Sequence, residues 1–142
     1  MSCRVQWVVF MRLKSARKVN RLLDRFFAEA IGQETAVREC ERYWKDPSLF
    51  RVVVTCPLPV DDLSSALLVV LPMCWRLAPR WTLGAPQAYD GDRWEFSGSA
   101  ISRGITTPGI AHIDFQACNW EQSPTESAPQ PVLQKETGTA AR

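Results

Sequence analysis

The sequence predicts an α+β domain, a two-layer sandwich with two helices covering one face of a sheet. Three observations lead there. Val52-Val53-Val54-Thr55 is β-branched throughout, and such side chains fit a pleated strand. Two stretches, 15–31 and 61–77, carry apolar residues at helical spacing. Two late stretches, 93–100 and 110–120, alternate apolar and polar residues as half-buried strands do.

Taken in order, residues 4–13 read as a central strand, because both alternating rows hold apolar groups: Val5, Trp7, Val9 and Met11 on one, Val8 and Phe10 on the other. Ser15 then suits an N-cap, whose hydroxyl accepts from the free amides of the first turn. Val19, Leu22, Leu23, Phe26, Phe27, Ala30 and Ile31 form the buried stripe of the first helix, and Gly32 supplies its stop. Residues 35–44 read as a strand, with a short helix as the competing reading because Ala, Arg and Glu favour helix. Lys45-Asp46-Pro47-Ser48 is a turn, and 49–56 is the clearest strand.

Pro57 and Pro59 end that strand, and Asp61 or Asp62 caps the second helix, whose buried side is Leu63, Ala66, Leu67, Val70 and Leu71. Pro72 stops or kinks it, with Met73 to Leu77 as a bent continuation. Trp81-Thr82-Leu83 is a short strand, 85–91 a loop, and Asp90-Gly91 a strong turn signal. In 93–100, Trp94, Phe96, Gly98 and Ala100 face one way against Arg93, Glu95, Ser97 and Ser99. After the turn Thr106-Thr107-Pro108-Gly109, Ala111, Ile113, Phe115 and Ala117 oppose His112, Asp114, Gln116 and Cys118. Residues 121–142, rich in Pro, Ser, Thr, Gln and Ala, bury too little apolar surface to offset ordering, so a disordered tail is expected after a single domain of residues 1–120. Strand–helix–strand–strand–helix–strand is the split βαβ, or ferredoxin-like, order, here with an added C-terminal hairpin.

Bulk numbers narrow the function. The 142 residues hold one domain, too little for a kinase or a barrel. The net charge of +2 hides an asymmetry: residues 1–60 carry eleven Lys/Arg and six Asp/Glu, residues 61–142 six and nine. The five cysteines form no C-x-x-C pair, so neither a zinc site nor another bound cofactor is expected, and free, buried thiols in a reducing cytoplasm fit best. The first eleven residues do not read as a signal peptide, and no run approaches the ~18 apolar residues of a membrane span.

No glycine-rich phosphate loop and no nucleophile elbow is present. His112 and Asp114 share a strand face, so the carboxylate can orient the imidazole. Cys118 lies roughly 20 Å from His112 at ~3.3 Å per residue, too far for a Cys–His nucleophile. Lys14, Arg17, Lys18, Arg21 and Arg25 recur every three or four residues and line one face of the first helix, as a phosphate-binding row would. Asp90, Asp92, Trp94 and Glu95 form an acidic, aromatic hairpin that suits a basic protein partner. Six scattered tryptophans exceed what a core of this size needs, and Trp81, Trp94 and Trp120 are the expected surface anchors.

In size, α+β layout and the pieces Arg42-Tyr43-Trp44-Lys45-Asp46-Pro47 and Trp94-Glu95-Phe96-Ser97-Gly98, the chain resembles the small cytoplasmic immunity proteins of bacterial polymorphic toxin systems. That class implies a non-enzymatic protein that binds one cognate toxin. The expected contact residues are Asp90, Asp92, Trp94, Glu95, His112, Asp114 and Gln116. Two alternatives stand beside it: a small ferredoxin-like enzyme using His112 and Asp114, and a nucleic-acid-binding domain using the basic first helix.

Overall fold

Strand β1 (Cys3–Met11) organises the molecule, because it lies inside the sheet with a partner on each edge. The computed structural model describes residues 3–30, 35–101, 105 and 108–120. After β1 come helix α1 (Ala16–Ala30), β2 (Ala36–Tyr43), β3 (Asp46–Leu58) and helix α2 (Leu63–Leu77). Short strands β4 (Thr82–Leu83) and β5 (Gln87–Tyr89), a 3-10 turn at Asp90–Asp92, β6 (Arg93–Ile101) and β7 (Ile110–Cys118) complete the described chain. The sheet runs β2-β3-β1-β7-β6-β4, with β5 also on β6, and every pairing is antiparallel.

Antiparallel register sorts the side chains onto two faces. Val5, Trp7 and Val9 stand beside Cys56, Val54 and Val52 of β3 and beside Ala117, Phe115 and Ile113 of β7. All nine are 2% exposed or less, and Trp7 packs edge-on against Phe27 of α1. This is the helix-covered face. Val19, Leu23, Phe26 and Phe27 from α1 join it, with Ala66, Val70, Met73, Cys74 and Leu77 from α2. The basic residues of α1 are all exposed, as the amphipathic pattern requires.

Local chemistry explains the ends. Ser15 Oγ accepts from Lys18 N, and Asp62 Oδ2 accepts from Ser65 N, so both predicted caps form. A two-residue turn, Trp44–Lys45, joins β2 to β3. Of the predicted turn 45–48 only Lys45 lies in it, and 46–48 instead start β3, where Asp46 Oδ1 accepts from the amide and hydroxyl of Ser48. Helix α2 runs through Pro72 to Leu77. The backbone oxygen of Leu68 loses its helical partner there, but Leu68 and Pro72 are both exposed and water can take its place. Gly32, Thr106, Thr107 and the tail 121–142 lie outside the described residues.

The α+β, two-layer expectation holds, and the strand order is where the molecule differs. Three strands, β4, β5 and β6, come between α2 and β7, so seven strands form one sheet and the extra ones precede the closing strand. The burial of β7 explains this. Ile113, Phe115 and Ala117 are 0–2% exposed, which a strand reaches when it has neighbours on both edges and helices above.

Candidate interaction surface

Among the described residues, no helix lies on the second face of the sheet. Its residues follow from the same register. One row crosses the strands as Arg51, Phe10, His112 and Ile101, the next as Val53, Val8, Asp114 and Ser99, and the next as Thr55, Gln6, Gln116 and Ser97. A fourth row holds Pro57, Arg4, Cys118 and Glu95. Four predicted site residues, Glu95, His112, Asp114 and Gln116, thus share one surface. An open depression of about 530 Å³ lies among Gln6, Val8, Ser97, Ser99, Asp114 and Gln116.

At one end of this face His112 Nε2 meets Asp114 Oδ1 at 2.6 Å, so the hydrogen of this bond is carried by that nitrogen. The imidazole is held edge-on by Phe10, and Phe10 in turn by Tyr43, with ring centroids 5.6 and 4.9 Å apart. Trp44 follows, 60% exposed, with the Lys45 ammonium over its ring. At the other end Glu95 accepts from Tyr89 Oη at 3.3 Å and from Gln116 Nε2 at 3.4 Å. The adjacent carboxylate raises the Tyr89 phenol, after a first contribution from burial. Trp120 sits against Tyr89 with the Arg93 guanidinium over its ring. In the same row as His112, Arg51 is only 9% exposed and pairs with Glu39 Oε1 at 3.1 Å across the β2 bulge.

Asp90 and Asp92 are exposed in the turn that leads into β6. Gly91 and Asp92 both have positive φ, at 79° and 60°, which swings the two carboxylates out at the corner of the sheet. Asn119 braces this corner: its Oδ1 accepts from Trp94 N, and its Nδ2 donates to the Asp92 carbonyl. A second cavity, about 680 Å³, opens between this turn and the start of α2.

Trp94 corrects the sequence-based site. It lies on the helix-covered side, 4% exposed, stacked on Phe96, with Nε1 donating to the Asp61 carbonyl. It therefore braces the core and is not a surface contact. The expected anchors Trp81 and Trp120 are half-buried, Trp81 Nε1 donating to the carbonyls of Cys74 and Ala78. The tryptophans that do face solvent are Trp44 and Trp75, 60% and 62% exposed.

The arrangement speaks to the catalytic reading. Cys118 stands at the far end of the row from His112, and its thiol donates to the Trp120 carbonyl. Burial raises that thiol out of the range of an activated nucleophile. No group of three or more potential metal ligands occurs among the described residues. Of the residues that matter on this face, Gln6, Val8, Phe10 and Arg51 went unassigned by sequence reasoning. Their only signal was the second alternating row of β1 and its partner row on β3. No family model, no curated protein and no solved structure matches this chain.

Proposed function

We propose that this chain is a non-enzymatic protein-binding module, most concretely an immunity protein that neutralises a cognate bacterial toxin in the cytoplasm. The observation that carries the reading is the sheet face on which the described residues place no helix. It offers hydroxyls, amides, a carboxylate and an imidazole from adjacent strands, around a small apolar centre at Val8 and Phe10. Aromatic groups stand at both ends, the composition of a docking surface with a few anchors and a polar surround. The exposed Asp90 and Asp92 add negative charge at one corner, which favours a basic partner. In this reading β2-β3-β1-β7 with α1 and α2 is a ferredoxin-like core, and β4 to β6 widen its binding face.

The decisive experiment is co-expression with the toxin domain encoded beside this gene. Survival that requires this protein, and is lost in an Asp90→Lys/Asp114→Lys variant that still folds, supports the reading. Cell death regardless of this protein overturns it. The bond between His112 and Asp114 favours one competing reading, a small enzyme using that pair. There, His112→Ala abolishes turnover of a small substrate without unfolding the domain, and unchanged turnover removes it.

A further inference from the structure

Helix α2 has a second face that the described residues leave exposed. Leu68, Pro72 and Trp75 lie along it, one or two turns apart, with Leu71 half-buried at its margin. Leu68 is 78% exposed and Trp75 62%. Trp75 lines an open cavity together with Pro79, Arg80 and Ile101, and Ile101 is itself 56% exposed. An apolar stripe of this kind on a helix marks a contact surface.

The charges at its two ends say what covers it. Asp61 and Asp62 precede the helix, Arg76 closes its last turn and Arg80 follows. Between them the helix carries no charged residue. When a copy of α2 lies against this stripe in the opposite direction, each acidic end meets a basic end. Leu68 and Trp75 of one copy then meet Trp75 and Leu68 of the other. The two helix dipoles also oppose favourably in that direction. A surface acidic at one end, basic at the other and apolar between is complementary to itself under a two-fold axis. We propose that two copies of this chain associate through antiparallel contact of their α2 helices. The helix layer lies opposite the open sheet face, so pairing leaves both candidate binding faces free and makes the assembly bivalent.

The patch is small against the ~1,200–2,000 Å² of a standard stable interface, so the dimer is weak and concentration-dependent. Sedimentation equilibrium of the full chain, from about 1 to about 500 µM, tests it, since weak contacts associate over that range. The expected result is monomer–dimer behaviour, weakened at least tenfold by Leu68→Glu or Trp75→Glu. Asp61→Arg or Arg80→Asp alone weakens association, and the two together restore it. All four positions are exposed, so each variant keeps a cooperative thermal transition, and a folding failure is recognised by its loss. A monomer at every concentration overturns the proposal. So does a dimer indifferent to Leu68→Glu, or a chain that binds lipid vesicles through Trp75 without self-associating. None of these outcomes depends on the identity of the toxin.

Discussion

Replacing Gly98 by alanine is the sharpest test of how β6 is packed, because two effects of opposite sign compete. Gly98 lies inside a strand, without a positive φ. Alanine there restricts the unfolded chain and by itself stabilises by about 0.5–1 kcal/mol. The space around it decides otherwise. A Cβ on Gly98 would stand 2.6 Å from Leu83 Cδ2, 2.8 Å from Phe115 Cε1 and 3.0 Å from the Thr82 carbonyl oxygen. The leucine methyl can turn away. The Phe115 ring cannot turn easily, because Trp7, Trp81 and Phe96 hold it on three sides. The Thr82 oxygen is backbone of the neighbouring strand. Overpacking of this kind costs about 1–3 kcal/mol, so the net effect is a loss of roughly 0.5–2 kcal/mol. Urea unfolding followed by tryptophan fluorescence reads it as a midpoint lowered by about 0.5 M, given a slope of ~1–3 kcal/mol/M. Adding Leu83→Ala to Gly98→Ala removes only the nearest contact and recovers only part of the loss. A Gly98→Ala protein more stable than the parent would refute the packing argument.

Three further outcomes are expected. Glu39→Gln leaves the nearly buried Arg51 guanidinium without its counter-charge and destabilises by about 1–2 kcal/mol in the same urea assay, below the value for a fully buried pair because Glu39 is one-third exposed. Arg51→Met with Glu39→Gln costs less than Glu39→Gln alone, and equal costs would show that the pair is not coupled. Asp46 and Asp62 are held below the ordinary carboxylate range, Asp46 by hydrogen bonds from Ser48 and Asp62 by those from Ser65. Their stabilising contribution is complete above about pH 5 and is lost as pH falls through their lowered values, so thermal midpoints drop below about pH 4, and less steeply in Asp46→Asn/Asp62→Asn. Of the five free thiols only Cys40 is not buried, while burial pushes Cys74 up to about 12. A thiol reagent at pH 8 therefore titrates one fast group in the native protein and five in denaturant. Fast reaction at Cys74 would contradict its burial.

The long strands were legible because period two survives wherever one face is dry. Val5, Trp7, Val9 and Met11 announce β1, and Ile113, Phe115 and Ala117 announce β7. The short strand expected at 81–83 is β4, but β5 falls inside the expected loop 85–91, and both are too short and too exposed for periodicity to mark their pairing with β6. Trp94 shows a readable signal set aside. Its alternation with Phe96 already placed it on the core side, but its acidic neighbours drew it into the candidate site. The open face was half legible. Its β7 row, His112, Asp114 and Gln116, is polar and stood out. Its β1 row contains Val8 and Phe10, which resemble core residues in sequence and stay half-buried because no helix of the described residues covers them. Nothing local told that Arg51 would be buried, since its partner Glu39 reaches it across a strand bulge.

The placing of β1 between β3 and β7 bears on how the chain is made. Val5 registers with Ala117, so the first strand cannot complete its pairing until more than a hundred further residues have left the ribosome. Until then one edge of a strand bearing Trp7 and Val9 is open, a template for wrong partners. So long a loop to close slows the final step, and the fold should form late and in concert rather than growing from its beginning. A chain cut before Ile110 would keep both helices and the β2-β3-β1 part of the sheet, yet would lack the strand that seals β1 and joins it to β6.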